Sequence, residues 1–156
     1  MCGDHPLVSI NLVTANRRDM LAAAIESACA QTYRPIELVV VDNHSSDGSP
    51  EAVQQRWPEA RVIRLHRNIG CQPGRNIGMK NCRGKYIFNL DDDGLLEPAA
   101  IERIVERFEA EPALGIICAA TPPLEERGTP VDPAAPAYYR GNFRSEIGRA
   151  SCRERG

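Results

Sequence analysis

Apolar runs typical of strands alternate along this chain with segments of helical periodicity, and this alternation constrains the fold more than any other feature. The first run, residues 7–13, precedes a segment in which Leu21, Ile25 and Ala28 recur at helical spacing. A second run, residues 37–41, is almost wholly apolar, as in a strand covered on both faces. Such alternation predicts parallel strands joined by right-handed helical crossovers, and therefore a mostly parallel sheet with flanking helices in an α/β fold.

The same pattern predicts five strands and four helices. Strands are expected at residues 7–13, 37–41, 61–65, 86–90 and 115–120. Helices are expected at residues 19–30, 50–55, 73–81 and 98–109. We expect Ser49 to be the N-cap of the second helix, with Pro50 at its first helical position. Residues 121–156 contain five prolines and then an Arg- and Glu-rich end, which favours a loop or disordered tail; we interpret residues 145–156 as non-native sequence.

Composition excludes several classes of protein. The net charge of -2 gives no global basic field for nucleic acid or anionic membrane, and 5% aromatic residues argue against a base-stacking surface. No stretch approaches the roughly 20 apolar residues of a membrane span. The six cysteines are scattered without a C-x-x-C pair, which favours a reduced cytosolic chain over a disulfide or zinc scaffold.

Polar residues follow four of the predicted strands at the points where they end. In open parallel sheets, ligands bind beyond the carboxyl ends of the strands, where strand order reverses. The four exit segments are residues 14–17, 42–48, 67–70 and 91–93. Three of them carry side chains suited to a nucleotide, and the fourth is a candidate metal site.

That fourth segment is the acidic cluster Asp91, Asp92 and Asp93, which directly follows an apolar strand. Adjacent like charges are tolerated mainly when a cation neutralises them, and Mg²⁺ or Mn²⁺ typically takes one or two carboxylates while phosphates supply other ligands. Because side chains alternate along an extended chain, Asp91 and Asp93 are expected to point one way and Asp92 another. The alternative, a solvated loop capping the next helix, is disfavoured because Asp93 lies too far from Pro98.

Asp42 is a second candidate, since it ends an apolar strand where a carboxylate needs a hydrogen-bond donor. The imino N–H of uracil, thymine or guanine would serve, and so would a ribose hydroxyl. A turn in which the amide of Ser45 or Ser46 donates to Asp42 would serve equally well. The sequence leaves both readings open.

A third group combines glycines with polar residues: Gly70, Gly74, Arg75, Asn76 and Gly78. Glycine lets backbone approach a ligand closely, and Arg75 could stack on a base or pair with phosphate. The spacing alone is weak as a motif. A glycine-rich dinucleotide fingerprint after the first strand and a Walker A lysine are both absent.

Four motifs in order resemble those of the family 2 glycosyltransferases of GT-A fold. They lie at residues 8–17, 40–48, 68–78 and 91–93, the last being a D-x-D followed by a proline. The resemblance covers about residues 7–120, and it implies that residues 1–120 form a nucleotide-sugar-binding glycosyltransferase half-domain. This chain departs from the usual motifs in having Val13 in place of proline, Ala15 in place of tyrosine and Asn43 in place of a second aspartate.

The resemblance implies an inverting, hexosyltransferase-type enzyme that takes a UDP-, dTDP- or GDP-linked sugar and passes it to a saccharide or lipid-linked acceptor. The implied donor-binding residues are Thr14, Asn16, Asp42, Arg75, Asn76 and Asp91. Asp91, through water, and Asp93 would hold Mg²⁺ or Mn²⁺. The family's general base lies on an acceptor-binding half that this sequence lacks, so the catalytic residue is unknown and the chain is interpreted as a truncated, donor-binding fragment.

Two rival functions stay open. A non-catalytic domain that senses a nucleotide sugar would use the same residues. A sugar-phosphate nucleotidyltransferase would need a glycine-rich, Arg-bearing loop after the first strand, and residues 14–19 contain none. The family's usual work in cell-surface polysaccharide or glycolipid synthesis implies a cytoplasmic location, peripheral at the inner membrane.

Overall fold

The computed structural model describes residues 5–118, which alternate between strands and helices as the sequence predicts. The strands are β1 (Val8–Thr14), β2 (Ile36–Asp42), β3 (Arg61–Arg64) and β4 (Tyr86–Asp91). The helices are α1 (Arg18–Cys29), α2 (Ser49–Arg56), α3 (Cys71–Asn81) and α4 (Ala100–Ala110). The described residues fall into two compact units, one ending at Val105 and one beginning at Glu106.

The four strands form one parallel sheet in the order β3-β2-β1-β4. The chain builds outward from β1 through β2 to β3 and then crosses to the other side of β1 to form β4. Strand order therefore reverses between β1 and β4. In register, Thr14 pairs with Asp42 and Val13 pairs with Asp91, so three strands end together at this reversal. This edge, formed by the carboxyl ends of the strands, is called the rim below.

One face of the sheet carries the main hydrophobic core. Val8, Ile10 and Leu12 of β1 point into it, and alternation along the strand sends Ser9, Asn11 and Val13 to the opposite face. The core is completed by buried residues of the helices, namely Leu21, Ala24, Ile25 and Ala28 of α1, Val53 of α2, and Ile101 and Val105 of α4. Burying one of the Leu, Ile or Val side chains stabilises the fold by roughly 1.5–3 kcal/mol, so this face supplies most of the stability of the sheet.

Helix α3 covers the opposite face and lies unusually close to β1. A Cβ atom at Gly74 would lie 3.0 Å from Val13 Cγ1, and one at Gly78 would lie 1.8 Å from Asn11 Oδ1. The Asn11 side chain, only 1% exposed, donates from Nδ2 to the Arg75 carbonyl at 3.1 Å and to Asn89 Oδ1 at 2.8 Å. The two glycines thus allow a polar contact that joins α3 to both β1 and β4.

The prediction that Ser49 is the N-cap of α2 is wrong. Gly48 is the N-cap, with a left-handed φ of 77°, and Ser49 is the first residue of the helix. Asp47 Oδ1 instead accepts hydrogen bonds from the Ser49 amide at 3.0 Å and from the Ser49 hydroxyl. The glycine turns the chain so that the carboxylate two residues before the helix satisfies its first amide.

The predicted fifth strand does not form where it can be observed. Residues 115–118 have no regular structure, while residues 119–120 and the predicted tail at 121–156 lie outside the described residues. In the second unit, Arg107 Nη2 pairs with Glu111 Oε1 at 2.7 Å, one helical turn apart. Over the described part of the chain, no helix is both long enough and apolar enough to cross a membrane.

Candidate functional site

Thr14 ends β1 at the reversal of strand order, and its side chain is buried without a partner. The residue is 2% exposed. Among the described residues, Thr14 Oγ1 and Asn11 Oδ1 are the two buried side-chain polar atoms that lack a hydrogen bond. An unpaired buried hydroxyl costs about 1–3 kcal/mol, and native proteins keep few such groups without a reason. Thr14 is therefore the rim residue whose hydroxyl most clearly lacks a hydrogen-bond partner, and a bound ligand could supply one.

Asp42, in register beside Thr14, is buried and already accepts hydrogen bonds. The Ser45 amide donates to Asp42 Oδ1 at 3.1 Å and to Oδ2 at 3.4 Å. This is the turn that the sequence allowed as one of two readings. A carboxylate has about four acceptor positions, so the turn leaves capacity for a donor from a ligand. The nucleotide contact of Asp42 stays a prediction.

Asn16 joins the loop after β1 to the loop after β2. Its backbone has a left-handed φ of 54°, and its backbone N–H donates to Ser45 Oγ at 2.9 Å. Its side-chain Oδ1 accepts from the Ser46 amide at 2.8 Å. A second bridge runs from the Arg18 amide to Asp47 Oδ2 at 3.0 Å. Asn16 therefore holds two rim loops together, and its contact with a donor stays a prediction.

The hydrogen bonds that the Asp47 carboxylate accepts, above all from the Ser49 hydroxyl, favour its charged form. The Ser49 hydroxyl lowers the pKa of Asp47, burial opposes this change, and the Ser49 and Arg18 amides lower the pKa further. The net direction is down from the ordinary aspartate value. The ionised side chain is therefore the form that ties the loops.

Asn43 extends the same bridging to a third loop. It is buried, its Nδ2 donates to Asn68 Oδ1 at 3.0 Å, and its Oδ1 accepts from the Ile69 amide at 2.9 Å. An amide offers both a donor and an acceptor, whereas the aspartate usual at this position offers only acceptors when ionised. Sequence reasoning noted the substitution but missed this role, because Asn68 is distant in the chain.

The acidic cluster is arranged differently from the prediction. β4 ends at Asp91 and the chain then turns, with the Gly94 amide donating to the Asp91 carbonyl at 2.9 Å. Because the chain is not extended beyond Asp91, the alternation of side chains stops there. Asp92 and Asp93 share one partner, Arg17, whose Nη1 lies 3.1 Å from Asp92 Oδ1 and 3.1 Å from Asp93 Oδ2. The expectation that Asp92 points away from Asp93 is wrong.

Two arginines thus form ion pairs with the three carboxylates. Arg75, on the first turns of α3, forms an ion pair with Asp91 through Nη2 and Oδ1. The Asp92 carboxylate, by its charge and its hydrogen bond, raises the pKa of Arg17, and Asp93 adds to this effect. Sequence reasoning did not select Arg17, although its position in the first exit segment was the available signal. Asn76 lies beside Arg75 on the exposed side of α3.

The rim suits only one kind of metal binding. No group of three or more His, Cys, Asp or Glu side chains within residues 5–118 could by itself hold an ion. Asp91 and Asp93 nevertheless offer hard carboxylate oxygens, and their side chains are 67% and 58% exposed. Such a pair matches Mg²⁺ or Mn²⁺ that keeps one or two protein ligands and completes its shell with phosphate and water. It does not match an all-protein metal cage.

A groove of about 450 Å³ lies away from these residues, between α1 and α2. Arg18, Arg56 and Trp57 are among its lining residues, and none of the predicted site residues contributes to it. The volume of a depression is a poor guide to chemistry here, since the unpartnered hydroxyl and the carboxylates lie on the rim instead.

A parallel sheet with helices on both faces and carboxylates where strand order reverses defines an α/β ligand-binding domain. Comparison with known protein families shows to which family of such domains the chain belongs. The chain belongs to glycosyl transferase family 2, whose model matches residues 9–148. The resemblance noted in the sequence is thereby confirmed, and the match favours a glycosyltransferase over a nucleotidyltransferase.

Individual proteins agree with the family assignment. The succinoglycan biosynthesis protein ExoO of Rhizobium meliloti (strain 1021) is 39% identical over 106 residues, which are 67% of this chain and 30% of that protein. The chain thus spans about a third of the length of this relative.

Solved structures agree on the fold. S. aureus TarS 1-349 in complex with UDP has a TM-score of 0.67 at 20% identity, over 80% of this chain and 38% of that one. The mannosyltransferase PcManGT of Pyrobaculum calidifontis, in complex with GDP-Man and Mn2+, has a TM-score of 0.64 at 22% identity, over 78% and 37% of the two chains. At such identities the likeness establishes the GT-A fold, which confirms the predicted fold class.

Proposed function

We propose that this chain binds the nucleotide diphosphate of a sugar donor at the rim and supplies the donor half of an inverting, metal-assisted glycosyltransferase. The observation that carries the proposal is the buried, unpartnered Thr14 hydroxyl at the reversal of strand order. It lies in register with Asp42, on the strand next to the one that ends in Asp91. Membership of glycosyl transferase family 2 supports the same reading.

Each rim residue has chemistry suited to one part of such a donor. Asp42 can accept the imino N–H of uracil, thymine or guanine, and Thr14 can donate to or accept from the nucleoside. Arg75 can stack on the base or pair with phosphate, and its neighbour Asn76 and the loop residue Asn16 would line the same site. Asp91 would contact the ribose, or the metal through water.

Asp91 and Asp93 would hold Mg²⁺ or Mn²⁺, which as a Lewis acid neutralises the diphosphate leaving group. The sugar carbon would be attacked by an acceptor hydroxyl, and a general base must remove the hydroxyl proton. No residue of the rim is assigned that task, so we expect donor binding with little or no transfer. By analogy with the family, the work would be polysaccharide or glycolipid synthesis on the cytoplasmic side of the inner membrane.

Calorimetry of the full chain with UDP, GDP and dTDP, each with and without Mn²⁺, tests the proposal. We expect one nucleotide to bind in a Mn²⁺-dependent manner, and Asp93→Asn to lower its affinity by about tenfold or more. Asp19→Asn is the matched control, because it removes a carboxylate that lines the groove between α1 and α2 instead of the rim.

Binding that needs no metal and is unchanged in Asp93→Asn would refute the metal assignment. Failure of all three nucleotides to bind would refute the donor site itself. Transfer from a matching nucleotide sugar would contradict the interpretation as a donor-binding fragment, whereas binding without transfer also fits a non-catalytic sensor domain.

A further inference from the structure

Arg17 makes an ion-pair arrangement that donor binding alone does not explain. The residue lies in the loop between β1 and α1, and its single Nη1 atom contacts carboxylate oxygens of both Asp92 and Asp93 at 3.1 Å. The Asp92 side chain is largely buried, while that of Arg17 is 49% exposed. Together with Arg75 on Asp91, two guanidinium groups face three carboxylates, which leaves one net negative charge.

We propose that Arg17 is a built-in counterion of the free protein, which releases Asp93 to a divalent cation and turns to the diphosphate when the donor binds. The inference rests on the proposed function, because it concerns the same rim. Its consequence is that metal and nucleotide bind with strong positive coupling, and that Arg17 is a source of this coupling.

The charges explain why the two ligands would need each other. A divalent cation arriving alone must compete with Arg17 for Asp93, and the displaced guanidinium would then lose one of its two carboxylate partners. A diphosphate arriving alone meets a rim with an excess of carboxylates. When both arrive, Arg17 exchanges one carboxylate for phosphate oxygens, which a guanidinium fork binds equally well. No charge is then left without a partner.

The local backbone permits this exchange. The Arg17 carbonyl accepts from the Leu21 amide at 2.9 Å, and the residue is the N-cap of α1. The main chain is therefore fixed by the helix, and only the half-exposed side chain has to swing. A long, flexible side chain on a fixed base can change partners without disturbing the sheet.

Titration of Mn²⁺ followed by electron paramagnetic resonance, with and without UDP, tests the inference on the full chain. We compare wild type with Arg17→Gln and with Arg18→Gln. The second variant is the matched control, because it removes the same charge one residue along, where the side chain lines the groove between α1 and α2. Arg17→Lys keeps the charge but loses the fork, and thermal unfolding checks that every variant is folded.

Without UDP, Arg17→Gln should bind Mn²⁺ about tenfold more tightly than wild type, and UDP should then strengthen Mn²⁺ binding about tenfold less. Arg18→Gln should behave as wild type, and Arg17→Lys should fall between the two. If Arg17→Gln and Arg18→Gln change Mn²⁺ binding equally while wild type still binds Mn²⁺ with UDP, the inference fails and the proposed function stands. If wild type binds no Mn²⁺ even with UDP, both fail.

Discussion

Replacing Gly78 by alanine should destabilise this protein, although the same change normally stabilises a helix. Alanine is favoured over glycine inside a helix by about 1 kcal/mol. At Gly78, however, the new methyl carbon would lie 1.8 Å from Asn11 Oδ1, 2.7 Å from Asn11 Cγ and 2.9 Å from Asn11 Nδ2. The Asn11 amide would have to move out of its buried position.

The magnitude follows from what that movement breaks. Asn11 Nδ2 donates to the Arg75 carbonyl and to Asn89 Oδ1, and each bond contributes about 0.5–1.5 kcal/mol. Overpacking a closely packed interior costs a further 1–3 kcal/mol or so. These losses outweigh the gain in helix propensity, and we expect a net decrease of about 3 kcal/mol in the free energy of unfolding.

Urea unfolding followed by circular dichroism measures this change in Gly78→Ala, Asn11→Ala and the double variant. Once Asn11→Ala has removed the amide, Gly78→Ala should cost little, so the two changes should couple by about 3 kcal/mol. Gly115→Ala is the control, because a Cβ there meets no atom within 4 Å. A Gly78→Ala variant at least as stable as wild type, with no coupling to Asn11, would refute the reasoning.

Two further predictions concern the rim. Thr14→Val should leave the free protein as stable as wild type or slightly more so, because it removes an unpartnered buried hydroxyl, yet it should weaken UDP binding measured by calorimetry about five- to tenfold. Unchanged UDP affinity would remove Thr14 from the donor site. On folding, the hydrogen bond from the Ser49 hydroxyl lowers the pKa of Asp47, although burial opposes this change. The stabilisation that the ionised Asp47 provides is therefore present above the ordinary aspartate pKa, and it is lost as the pH falls through the lower pKa of the folded protein. Urea midpoints measured from neutral to acidic pH should therefore fall less steeply in Asp47→Asn than in wild type; parallel curves would contradict this account.

Local periodicity was enough to predict the alternation of elements. All eight described helices and strands begin and end within two residues of their predicted limits. These signals depend on residues that are neighbours along the chain, such as the helical repeat of Leu21, Ile25 and Ala28. The same reasoning failed at Ser49, where a left-handed Gly48 moved the helix start by one position.

The contacts that shape the site could not be read in this way. Asn11 meets Asn89 across 78 positions of the chain, and Arg17 meets Asp92 across 75. Such pairs arise only once the strand order has brought β4 beside β1. The predicted orientation of Asp93 was wrong for a related reason, because the turn after Asp91 ended the extended geometry on which the prediction depended.

The asparagine bridges among the rim loops have a thermodynamic consequence for binding. Asn16 joins the first loop to the second, and Asn43 joins the second to the third. Segments that are already immobilised lose little further conformational entropy when they close around a guest molecule. A larger share of the interaction free energy of each new contact would then appear as affinity. The exposed rim could therefore bind a flexible ligand more tightly than a set of independently moving loops would.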